Sequence, residues 1–81
     1  MDIKQLRYFV EVARREHISD AALELNIAQS AISRQITQLE KELGVTLFKR
    51  SGRNIILTVE GRQLLSQATQ ILELMDKTIH S

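Results

Sequence analysis

Three observations in these 81 residues predict a mainly α fold. Apolar residues recur at helical spacing through most of the chain, two short apolar runs flank one glycine-bearing basic turn, and one long apolar stripe occupies the C-terminal end. Together they describe a winged helix-turn-helix over residues 1–58, three helices plus a two-stranded β wing, followed by a long C-terminal helix over 59–81.

In the first segment Ile3, Leu6, Phe9, Val10 and Ala13 fall on one face, which predicts a helix over residues 3–15 with Asp2 as its cap. Its apolar face belongs mostly to the core. Ser19 is the expected cap of a second helix, because its hydroxyl can accept from an early backbone N–H, and Asp20 sits favourably in the first turn. Ala21, Ala22 and Leu25 then face inward, and the two alanines let a crossing helix come close. Asn26, one of the few non-glycine residues that tolerates left-handed backbone angles, ends this helix and turns the chain.

In the third helix Ile32, Ile36, Leu39 and Leu43 follow at i, i+4, i+7 and i+11, one narrow apolar stripe, and Gly44 ends it. The opposite face carries Ser30, Arg34, Thr37 and Lys41, with Ser33 and Gln38 on its flanks. A merely solvated face fills with long charged residues in i, i+4 pairs, as Glu40, Lys41 and Glu42 do near the C-terminal end. Gln29, Ser30, Ser33, Arg34 and Gln35 are instead small or bidentate hydrogen-bonding groups, the types that read base edges and grip phosphates in a major groove. The stretch from Ser19 to Leu43 therefore reads as a helix-turn-helix. A DNA groove is the first partner to consider, with Arg34 the leading contact.

After Gly44, Val45, Leu47 and Phe48 read as a short strand, Lys49 to Asn54 as a basic turn, and Ile55, Ile56 and Leu57 as the return strand. Lys49, Arg50 and above all Arg53, between Gly52 and Asn54, are placed to reach phosphates or an adjacent minor groove. The other reading of this turn is a polar loop kept for solubility. Thr58 then caps the last helix, with Glu60 in its first turn. Along it Leu64, Leu65, Ala68, Ile71, Leu72, Met75 and Ile79 lie within an arc of about 120°. From Val59 to His80 the helix would be roughly 33 Å long, more than so small a body can cover. A second copy, laying the same helix against this one about a two-fold axis, would cover the stripe and fix the separation of two reading helices. Fraying, or packing on a further domain, would also account for it.

The formal net charge is only +1, so distribution rather than total carries the electrostatic argument. Residues 1–28, 29–58 and 59–81 carry −1, +3 and −1, which puts the excess in the middle third. With no cysteine there is no disulfide framework and no thiolate metal site, and His17 and His80 are too far apart in sequence to be a local ligand pair. His17 reads as a polar loop residue between the first two helices. No phosphate-cradling glycine loop, cofactor site or nucleophile-base constellation is present, and a chain this short buries about 60 to 65% of its unfolded surface, too little to enclose a cleft. An enzyme is not expected. The apolar runs are too short and too often interrupted by charge to span a bilayer, and Met1-Asp2-Ile3-Lys4 has no apolar leader, so a natural start and a cytoplasmic setting are expected.

Taken in order, Leu6-Arg7-Tyr8-Phe9-Val10-Glu11-Val12-Ala13, Ala21-Ala22 with Leu25, and Gln29-Ser30-Ala31-Ile32-Ser33-Arg34-Gln35-Ile36 with Leu39-Glu40 form a specific set. It continues through Leu43-Gly44-Val45-Thr46-Leu47-Phe48-Lys49-Arg50 to Leu57-Thr58-Val59-Glu60-Gly61. Over nearly its whole length the chain resembles the N-terminal DNA-binding region of LysR-type transcriptional regulators. The resemblance implies a bacterial winged helix-turn-helix with a linker helix that pairs two protomers on partly palindromic promoter DNA. It implies base contacts from Gln29, Ser30, Ser33 and Arg34, a wing contact from Arg53, and phosphate contacts from Lys49 and Arg50, to which the face itself adds Thr37 and Gln38. Two positions depart from the family pattern: Ala28 stands where a capping serine is usual, and Ser30 where proline is common. Such regulators continue into a larger domain that senses a small molecule, which is absent from these residues, so effector, target genes and sense of regulation are not encoded here.

From the residues alone one competitor stays open, a winged-helix module that associates through its long helix and never touches nucleic acid. The modest net charge permits it. Salt-sensitive binding to double-stranded DNA separates the two readings.

Overall fold

A computed structural model describes residues 1–52 and 54–80, the last two through their backbone. In chain order the elements are α1 (Ile3–Arg15), α2 (Ile18–Leu25), α3 (Gln29–Leu43), β1 (Phe48–Ser51), β2 (Asn54–Leu57) and α4 (Val59–His80). Helices α1, α2 and α3 enclose a core in which Phe9, Val12, Ile32, Leu39 and Leu47 are fully buried. The mainly helical winged helix-turn-helix expected from periodicity is the observed architecture.

Helix α1 begins in a capping box. The Gln5 N–H donates to Asp2 Oδ1 at 2.7 Å while Asp2 N–H donates to Gln5 Oε1 at 3.3 Å, which satisfies two otherwise free backbone donors. The buried amide of Gln5 also donates from Nε2 to Gln35 Oε1 at 3.1 Å, tying α1 to α3. At the other end Glu16 adopts a left-handed conformation (φ 58°), and its carbonyl accepts from Ile55 N–H at 3.3 Å, so the wing is pinned to the end of α1. On the surface Arg15 pairs with Glu11, and that carboxylate hydrogen bond raises the guanidinium pKa above its ordinary value.

The start of α2 differs from expectation. The helix begins at Ile18 and its cap is His17, in an extended conformation and without a side-chain cap bond, so Ser19 lies inside the first turn. The left-handed Glu16 redirects the chain three residues before Ser19, and the helix starts as soon as the backbone permits, at Ile18. Asn26 ends α2 as expected, at φ 56° and ψ 46°, with its N–H on Leu23 O at 3.2 Å and that of Ile27 on Ala22 O at 3.0 Å.

Helix α3 is capped at its start by Ala28, whose side chain can offer no cap bond, and at its end by Gly44 with φ 69°. Ile32, Ile36 and Leu39 are buried as the stripe requires, but Leu43 is 40% exposed. It lies past the part of α3 that faces the core, on the lip of an open groove against α4.

The ribbon is shifted relative to expectation. Its ladder pairs Phe48 with Leu57, Lys49 with Ile56, Arg50 with Ile55 and Ser51 with Asn54, so Lys49 and Arg50 belong to a strand rather than to the turn. Gly52, at φ 62°, permits so tight a reversal. Phe48 folds its ring onto Phe9, with centroids 5.4 Å apart. Val45 to Leu47 are instead a connecting run held by hydrogen bonds. Leu47 N–H donates to Glu40 Oε2 at 2.6 Å, Thr58 N–H donates to Leu47 O at 3.0 Å, and the Thr58 hydroxyl donates to Thr46 O at 2.6 Å. That same hydroxyl accepts from Gly61 N–H at 2.9 Å, the capping bond expected of Thr58. Gly61 lies so close to this run that a Cβ on it would stand 2.2 Å from Leu47 O.

Helix α4 packs along α1. Ala68 is fully buried there, and Leu64, Leu65 and Leu72 press partly buried against the same core. Farther along, Asp76 reaches Arg7 of α1 at 3.7 Å, an exposed ion pair of little energetic weight. No helix among the described residues is long and apolar enough to cross a membrane.

Candidate nucleic-acid interface

The N-terminal half of α3 turns its polar face away from the core because Ile32, Ile36 and Leu39 commit the other side to α1 and α2. Gln29, Ser30, Arg34, Thr37 and Gln38 are exposed on that outer face, and Ser33 is half-buried at its edge. Lys49 and Arg50 are exposed on β1. Among the described residues none of these eight side chains has a hydrogen-bond or ion-pair partner within the chain. Groups of this kind, left unpaired on one surface, are available to an external ligand.

Helix α3 and strand β1 share that surface. Ser33, Thr37, Lys49 and Arg50 line one cavity of about 240 Å³ between α3 and β1, and Gln29, Ser33 and Arg50 line a second of about 240 Å³ together with His17 and Ser19. Arg50 and Ser33 border both, so they sit at the junction of the two elements. Three cations, Arg34, Lys49 and Arg50, belong to this region, while the nearby Glu40 carboxylate is engaged with Leu47 N–H. The free N–H groups at the start of α3 add partial positive charge at the same end. Such a surface favours a polyanion. Arg53, expected at the wing tip, lies outside the described residues.

Gln35 belongs to the fold rather than to this surface, since it accepts from the buried Gln5 amide. His17 and Ser19 border the surface although no spacing pointed to them: they arrive there because the start of α2 meets the start of α3, a matter of topology. Among the described residues no group of three or more His, Cys, Asp or Glu could hold a metal ion.

The expected pairing face on α4 is divided. Ala68 is already covered by its own chain, which removes it from any seam between copies, and Leu64, Leu65 and Leu72 are partly spent on the core. Met75 is half-buried, Ile71 is 40% exposed, and the side chain of Ile79 lies outside the described residues. Leu74, which falls off the periodic arc, is 66% exposed.

The family model described as bacterial regulatory helix-turn-helix protein, lysR family, matches residues 3–62. The transcriptional dual regulator GltC of Bacillus subtilis (strain 168) is 57% identical over 76 residues, 94% of this chain and 25% of that protein. A probable cat1 operon transcriptional activator of Acinetobacter lwoffii is 51% identical over 72 residues, 89% of this chain and 24% of that protein. The chain thus spans about a quarter of the length of these curated relatives. Among solved structures, the DNA-binding domain of BenM in complex with catB site 1 DNA superposes with a TM-score of 0.95 at 39% identity, over 99% of this chain and 89% of that one. The DNA-binding domain of CbnR, in complex with DNA, gives 0.92 at 42% identity, over 96% and 90%.

Proposed function

The chain belongs to the LysR family of bacterial helix-turn-helix regulatory proteins, and on that premise we propose that it binds double-stranded promoter DNA as a homodimer and regulates transcription in the cytoplasm. The unpartnered polar face of α3 beside the cations of β1 carries this reading. Helix α3 enters the major groove, where Gln29, Ser30, Ser33, Arg34, Thr37 and Gln38 meet base edges and flanking phosphates. Lys49 and Arg50 hold backbone phosphates, and Arg53 reaches the adjacent minor groove. The uncapped N–H groups behind Ala28 donate to a phosphate oxygen, which supplies the acceptor that the missing serine does not.

Residues 59–81 pair two protomers, so the target is partly palindromic and a sensing domain lies beyond this segment. Regulation is the work of binding, without catalysis by this segment. Membership in the family and the DNA complexes of BenM and CbnR favour this over a winged-helix module that only associates with protein. Fluorescence anisotropy on a site chosen by binding-site selection tests it. Affinity is expected to fall linearly on a log–log plot with salt, at a slope near −0.9 for each phosphate neutralised. Absence of salt-sensitive binding to duplex DNA would overturn the proposal.

A further inference from the structure

The buried amide of Gln5 is engaged at both ends. Its oxygen accepts from Asp2 N–H at 3.3 Å in the capping box of α1, and its nitrogen donates to Gln35 Oε1 at 3.1 Å on α3. Gln5 is 6% exposed, whereas Gln35 is half-buried and stands between the exposed Arg34 and the buried Ile36. Because the Asp2 N–H already holds the oxygen, only the nitrogen is left to face α3. The start of α1 therefore sets the direction of the bond between the two helices.

Apolar contact alone leaves the rotation of α3 soft. Burial of Ile32, Ile36 and Leu39 holds the helix on the core, but that attraction has no direction, whereas a hydrogen bond weakens steeply as its angle opens. A turn of about 10° about the axis moves a side-chain tip roughly 6 Å out by about 1 Å, enough to spoil a hydrogen bond to a base edge. We propose that Gln5 is a positioning residue for DNA recognition: acting through Gln35, it fixes the rotation of α3 and with it the placing of Gln29, Ser33 and Arg34 on base edges. This rests on the DNA-binding reading above and deepens it. A buried polar group satisfied in one arrangement only is suited to such a task.

Fluorescence anisotropy on a duplex obtained by binding-site selection, and on a scrambled duplex of the same length, gives the ratio of affinities that tests it. Gln5→Leu and Gln35→Leu each remove the bond, and each is expected to narrow that ratio by about fivefold while the salt slope stays unchanged. The double variant should narrow it no further, since both substitutions delete one interaction. Gln5→Glu keeps an oxygen on Asp2 N–H and accepts from Gln35 once that amide turns over, so it should retain the parent ratio. Asp2→Ala removes the acceptor of Gln5 N–H and leaves the bond between helices in place, so the melting temperature should fall and the ratio should not. An unchanged ratio in either leucine variant, measured well below its melting temperature, would overturn the proposal. Losses that add in the double variant would overturn it too, by making Gln35 a direct DNA contact, as would an equal narrowing in Asp2→Ala. A parent chain without salt-sensitive binding to duplex DNA would remove the DNA-binding reading itself, and this role of Gln5 with it.

Discussion

Arg34 stands exposed on α3 and makes no internal bond, so its removal should leave the fold untouched. Arg34→Ala is expected to weaken a selected DNA site by about 1 to 3 kcal/mol and relax preference at one base position, with an unchanged melting temperature. Anisotropy on selected and scrambled duplexes checks this. Equal losses on both would assign Arg34 to phosphates instead. Gln5 and Gln35 show the converse, for they have the same side chain as Gln29 and Gln38 but face inward and hold α1 to α3. Composition cannot separate these glutamines, and position relative to the buried stripe does.

At the scale of elements, Gly61 has the sharpest consequence. Within a helix, glycine to alanine ordinarily gains about 1 kcal/mol, but here the added methyl would meet Leu47 O. Gly61→Ala should therefore destabilise by about 1 to 3 kcal/mol and lower the melting temperature by more than about 4 °C. A higher melting temperature in a thermal scan would show that the approach is not close. Periodicity made α1, α3 and α4 legible because Leu6, Phe9, Ile32, Ile36 and Leu39 are spaced by contact with one core. It misplaced the cap of α2 and the ladder of the wing, since both depend on left-handed turns, at Glu16 and Gly52, of which only the second has a residue signature. On the candidate interface, the exposed face of α3 was legible from Gln29 to Gln38, whereas His17 and Ser19 were not, because two helix starts meet there across the sequence.

The whole molecule measures 42 × 27 × 19 Å, and its long axis suits a helix of 22 residues. That helix serves the protomer with one face and, in our reading, a second copy with the other. Leu74→Asp should accordingly reduce the dimer mass in sedimentation while leaving the melting curve of the dissociated chain unchanged. Leu72→Asp, set against the core, should lower both. If Leu74→Asp sediments as the parent does, Leu74 lies outside the pairing face. The joint between α3 and the ribbon has a bearing on how such a chain can vary in length. Gly44 and Val45 N–H donate to Glu40 O, Thr46 O accepts from Thr58, and Leu47 is tied through both its N–H and its carbonyl. An inserted residue anywhere in that run must break one of these bonds or move the end of a helix, so between α3 and α4 a change of length is better tolerated beside the exposed Ser51 and Gly52 than in the run from Gly44 to Leu47.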